Sequence, residues 1–128
     1  MMYYFSKTLN TTFENALDLV IEALKTEGFG VLTQINIKDT LKKKIDVDFR
    51  KYVILGACNP QFAHQALESE DKIGVLLPCN VILQELPNGE VEVAAVDPIT
   101  SMSSVQNEKL GTIAQQVQQK LKNVIKQL

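Results

Sequence analysis

Val81-Ile82-Leu83-Gln84-Glu85-Leu86-Pro87-Asn88-Gly89-Glu90-Val91-Glu92-Val93-Ala94-Ala95-Val96 is the stretch that decides the fold class. Two apolar, β-branched runs, 81–86 and 91–96, flank a Pro-Asn-Gly turn. Proline presets the first turn position, asparagine suits the second, and a glycine free to take positive φ follows. This order predicts a type I turn with a G1 bulge. So short a turn joins antiparallel strands, because a parallel pair needs a crossover of a dozen residues or more. The hairpin argues against a doubly wound parallel sheet.

Downstream, Asp97-Pro98 ends the second strand, since proline removes a ladder donor. A last helix is predicted from near Asn107. Its stripe is Leu110, Ile113, Ala114, Val117, Leu121, Val124, Ile125 and Leu128, in steps of three and four over about five turns. That stripe can lie across its own sheet or share itself with a partner subunit.

Upstream, Tyr3 to Lys7 reads as a first strand. Thr11 and Glu14 have capping-box spacing, and Phe13, Ala16, Leu17, Val20, Ile21 and Leu24 form one apolar face. Gly28 stops this helix as a residue tolerant of positive φ. Residues 29–36 read as a strand, and Asp39 as the cap of a short helix with Leu41 and Ile45 inward. Residues 51–57 read as an interior strand. Asn59-Pro60 then supplies an N-cap and a first-turn proline for a helix whose stripe is Phe62, Ala63, Ala66 and Leu67. Residues 73–77 are too short to assign beyond a single turn. The order is βαβαβαββα: an α+β domain over residues 1–128, with a mainly antiparallel sheet and helices packed on one face.

At 128 residues the chain can bury one substantial core. A net charge of −2 and a pI near 5.4 give no general attraction to nucleic acid or anionic membranes. Lys42-Lys43-Lys44 with Arg50 and Lys51 is the one basic cluster. Asp46 and Asp48 interrupt it, so it reads as a solvated face. No run approaches the roughly 20 apolar residues of a membrane helix. The first residues lack the basic region and long apolar stretch of a signal peptide. Cytoplasmic residence is the expectation, and there two cysteines are thiols.

Both cysteines lie in junction motifs, Gly56-Ala57-Cys58-Asn59-Pro60 and Leu77-Pro78-Cys79-Asn80. Cys58 precedes a helix start, where amides and dipole favour a thiolate. Cys79 opens a strand, and neighbouring strands would bring the sulfurs to one sheet end. Three readings stay open. The thiols form a redox pair or a nucleophile with His64 as base. Alternatively Cys58, Cys79 and His64 bind zinc with one position open. Or both cysteines are small buried hydrophobes and His64 is solvated. Asn59 is explained as a helix cap, whereas Asn80 has no such role. Ser101, Ser103 and Ser104 have only His64 as a base, too little for a hydrolase triad. Gly28 and Gly30 do not make a dinucleotide fingerprint.

The residues Gly56, Cys58, Asn59, Pro60, Ala63, Ala66, Leu67, Gly74, Leu77, Pro78, Cys79 and Asn80, with the hairpin and long helix, carry a likeness across nearly the whole chain. In this pattern the chain resembles the bacterial and archaeal domain-of-unknown-function 302 family. The resemblance implies a compact α+β fold that pairs as a homodimer, and it implies no particular reaction. The expectation is a homodimeric protein that binds a small ligand or partner near Cys58, Asn59, Cys79 and Asn80. There strand ends and a helix start would hold an anionic or polar group. The alternative is a thiol- or zinc-dependent enzyme using Cys58, Cys79 and His64.

Overall fold

The hairpin forms as its sequence predicts. In the computed structural model, which describes residues 2–128, β4 (Cys79–Glu85) and β5 (Val91–Val96) run antiparallel. Gly89 N–H donates to the Leu86 carbonyl at 2.9 Å, and Leu86 N–H to the Glu90 carbonyl at 2.8 Å. Gly89 sits at φ +87°, the bulge position that a side chain would strain. β4 begins two residues earlier than the apolar run suggests. Cys79 and Asn80 pair with Ala57 and Gly56, and the strand starts directly after the donor-less Pro78.

Around the hairpin the sheet grows to five strands in the order β1-β5-β4-β3-β2, every neighbour antiparallel. β1 (Tyr4–Leu9) pairs with β5, β3 (Tyr52–Cys58) with β4, and β2 (Gly30–Asn36) forms the far edge. The expected α+β class, with helices on one face, holds. α1 (Phe13–Thr26) and α5 (Glu108–Lys126) cover that face. Their buried residues meet Val53, Leu55, Val81, Leu83, Val91 and Val93 in one core. The strand alternation of β5, buried at Val91, Val93 and Ala95, is the sequence signature of this one-sided burial. On edge strand β1 the inward Lys7 reaches the Lys126 carbonyl at the end of α5 and the Leu128 carbonyl just beyond it. There it meets the negative helix end and blunts the edge.

Three helix starts differ from expectation in instructive ways. α1 is capped by Thr12, whose hydroxyl accepts from Asn15 N–H at 3.1 Å. Thr11 instead accepts from the Asn15 side chain at 2.7 Å, and Glu14 pairs with Lys51 at 3.3 Å, so no capping box forms. α2 (Ile37–Ile45) is capped by Asn36 rather than Asp39, which lies in its first turn. It buries no residue, and Ile45 is exposed. α4 (Pro98–Ser101) is a short helix that starts directly at the expected strand end, because Asp97 accepts from Ile99 N–H at 3.0 Å. Residues 73–76 form a single 3-10 turn.

α5 starts after its Asn107 cap, and every stripe residue from Leu110 to Ile125 is buried by this chain itself. Its own sheet and neighbouring helices use the whole stripe, with Leu110 packed beside Ala66 and Ile73. The uncovered surface is the other sheet face, where the registers align Tyr4, Val96, Ala94, Ile82, Ile54 and Tyr52. Among the described residues, Glu92 is the one carboxylate or basic side chain along these registers, and it accepts from Gln84 at 2.8 Å.

α1 ends in a Schellman motif: Gly28 N–H donates to Lys25 and Phe29 N–H to Leu24. Gly28 takes φ +82°, and a Cβ there would lie 3.0 Å from Asn59 Nδ2. Gly28→Ala is expected to lower stability in urea unfolding by about 1–2 kcal/mol, the cost of a left-handed residue. Gly30→Ala, which meets nothing within 4 Å, should be neutral.

Candidate functional site

α3 (Pro60–Ser69) follows β3 directly, and an asparagine straps it at each end. Asn59 occupies the N-cap position but does not cap. Its amide donates to the Glu27 carbonyl at the end of α1, at 3.2 Å. At the other end, Asn107 accepts from Leu110 N–H as the cap of α5 and donates to the Ser69 carbonyl at 2.8 Å. The helix is thus fixed to α1 and α5 by side-chain amides rather than by a filled interface.

The stripe predicted for α3 faces inward, yet only Ala66 is fully buried; Phe62 and Ala63 are half-buried and Leu67 is exposed. Two alanines are too small to reach the opposite wall. A cavity of about 310 Å³ results, bordered by Ala63 and Ala66, by Ala57 and Cys79 at the strand ends, and by Ile113 and Val117 of α5. It lies on the seam between the main core and a small second cluster of Ala66, Ile73 and Leu110. Leu32 and Leu67, 66% and 44% exposed, form an apolar lip that opens it to solvent.

Both cysteines border this cavity as free thiols. Cys58 is half-buried. Cys79 is buried, and removal from water pushes its thiol up to about 11, with a further contribution from a charge on Cys58. Cys79 therefore stays a neutral thiol at physiological pH and packs as a small apolar residue.

The other candidate residues are not brought here. Asn80 is exposed on the open sheet face opposite Gly56, because the pleat turns it away from Cys79. His64 points outward from α3, 77% exposed, with Nε2 3.3 Å from Glu68 one turn on. The three-ligand set Cys58, Cys79 and His64 is thus not assembled. Among the described residues no three His, Cys, Asp or Glu side chains are grouped to hold a metal. Ser101 and Ser103 spend their hydroxyls on the carbonyls of Pro98 and Thr100. Lys42 pairs with Asp46 and Asp48 at 2.9 and 3.3 Å. Arg50 stacks on Phe49 at 4.3 Å and donates to Gln84. The α5 wall and Met102, which also line the cavity, escaped sequence reasoning. The available signal was the alanine pair at the centre of the α3 stripe.

Cys79 makes stability fall at alkaline pH. Below its ordinary value of 9.0 the folded and unfolded thiols are both protonated, and the group has no effect on the pH dependence. Between about 9 and about 11 unfolding releases its proton, so stability drops by about 1.4 kcal/mol per pH unit. Cys79→Ala removes this component, and wild type and variant should converge over that window in urea titrations. For the α3 strap, Asn107→Asp keeps the capping oxygen and loses the donor to Ser69. It should cost about 0.5–1.5 kcal/mol, against about 1–2 kcal/mol or more for Asn107→Ala, which loses both.

The comparisons with known proteins match this architecture. A family model described as "Domain of unknown function DUF302" matches residues 5–128. The crystal structure of uncharacterized conserved protein DUF302 from Bacillus stearothermophilus has a TM-score of 0.90 to this chain at 28% identity, covering 98% of each. No curated protein matches the sequence. With the match running from β1 through α5, and the likeness noted in the Cys-Asn motifs falling inside it, the chain belongs to the DUF302 family.

Proposed function

We propose that this chain is a homodimeric binding protein that holds a small molecule in the cavity beside Cys58 and Cys79. The cavity carries the reading: about 310 Å³ of space open to solvent, kept from collapse by straps at both ends of α3. Its size falls at the lower end of the ~300–1,000 Å³ of small-molecule pockets. Of the four residues first expected to form the site, Cys58, Asn59 and Cys79 border it, and Asn80 leaves the set.

The homodimer draws support from the open sheet face. Five strands spaced about 4.8 Å apart and some six residues long present a face of about 24 by 20 Å. That is a projected area of about 480 Å², somewhat over half of the ~800 Å² per partner of a standard interface, and the loops bordering the face would supply the rest. Tyr4, Tyr52, Ile54, Ile82, Ala94 and Val96 would pair with the same residues of a second copy about a two-fold axis.

A thiol-dependent enzyme retains one supporting observation, that both sulfurs border the same cavity. Against it stand the neutral Cys79 and the outward His64.

Two readouts test the proposal together. Light scattering should give a dimer, and Ile82→Lys should give a monomer with unchanged circular dichroism. A wild-type monomer would refute the pairing. In a small-molecule screen, compounds that raise the melting temperature should also slow iodoacetamide labelling of Cys58 at least severalfold. Stabilising compounds that leave Cys58 labelling unchanged would place binding elsewhere and overturn the site.

A further inference from the structure

We infer that the cavity takes a neutral hydrocarbon group, an aliphatic chain in the first instance, rather than the anionic or polar group that its strand-end position suggests. This rests on the reading of the cavity as the binding site and names the chemistry of its ligand.

Charge complementarity is the first argument. Among the described residues, no side chain lining the cavity is a carboxylic acid, a lysine, an arginine or a histidine. The single amide at its border, Asn59, already donates to the Glu27 carbonyl and has its nitrogen beside Gly28. A buried anion or cation would lose its hydration and find no countercharge, which protein interiors do not tolerate.

The start of α3 does not repair this. Pro60 at the first helical position has no N–H, and the first regular bond already runs from Ala63 N–H to the Asn59 carbonyl at 2.9 Å, so the first turn offers only the amides of Gln61 and Phe62. A helix N-terminus offers an anion its free amides, and here their number is reduced.

Shape and entry agree. The walls are methyl and methylene groups of Ala63, Ala66, Ile113 and Val117, with Met102 as a pliable thioether filler. The lip is the exposed Leu32 and Leu67, so a chain enters across apolar surface without passing a polar ring. Apolar cavities of about half this volume stay dry and accept benzene. The thiols fit the same account: they contribute soft, weakly polar surface, and they need no role as nucleophile or ligand.

The test uses N-phenyl-1-naphthylamine as a neutral fluorescent probe of the whole protein. Saturable fluorescence is expected, with displacement by straight-chain 1-alkanols that tightens about fourfold per added methylene until the cavity is filled. At pH 7 the alkanoate of the same chain length should bind at least tenfold more weakly than the alkanol. In methyl-resolved spectra of the unsubstituted protein, Ile113 and Val117 should shift on adding alkanol. Ala63→Phe should abolish displacement while leaving circular dichroism unchanged.

Each contrary result has its own meaning. Alkanoate binding as tightly as alkanol, with shifts at Ile113 and Val117, overturns the neutral-ligand inference and leaves the site standing. Binding that moves neither methyl overturns the site itself. Failure of every alkanol to bind overturns the inference outright, even where charged compounds protect Cys58.

Discussion

α3 is held by two side-chain amides, and much of what is distinctive about this fold follows from that. Asn59 ties its start to the Glu27 carbonyl, and Asn107 ties its end to the Ser69 carbonyl. Glu27 also accepts from Asn123 through its carboxylate at 3.2 Å, and Thr26 accepts from Gln127. The end of α1 therefore joins α3 and α5 in one polar clasp. Hydrogen bonds of this kind are directional and fix distance, whereas apolar contact rewards any closer approach. A helix fastened by its ends need not collapse onto the sheet, and alanines at its centre leave the gap open.

Cysteine placed beside such a gap invites a chemical reading, and the surroundings decide against the obvious one. A reactive thiol sits in an electropositive, partly exposed setting. Cys79 has the opposite setting, with Ala57 as its register partner and the main core behind it. Burial there acts on the thiol as it would on any acid, by penalising the ion. The same desolvation that keeps Cys79 neutral makes the adjoining wall favourable to a hydrocarbon.

The parts of this fold legible in the sequence are those set by local spacing. The Pro87-Asn88-Gly89 turn, the α1 stripe ending at Gly28 and the α5 stripe after Asn107 each encode their structure within a few residues. Cap assignments slipped by one residue at Thr11 and Thr12, and by three at Asn36 and Asp39, because both members of each pair are good caps and tertiary partners choose between them. Asn59 shows the same limit: its position was readable, while its hydrogen bond to Glu27 depends on a residue far away in sequence. The cavity was the least legible feature. It needs β3, β4, α3 and α5 to converge, and no window of sequence contains that convergence. Strand alternation identified which residues share a face of the sheet, but not that the face bearing Asn80 is left uncovered.

The order of strands also bears on how the chain folds as it is made. β1 is made well before β5, residues 91–96, which among the described residues is its only sheet partner. At ~5–20 residues per second, β1 waits on the order of ten seconds for that partner. Over the same interval the apolar stripe of α1 lacks most of the strands it will cover. Long-range pairing of this kind slows closure of the sheet and lengthens the life of chains with exposed apolar surface. That exposure ends only when the hairpin and the final helix are available to close the sheet and cover its face.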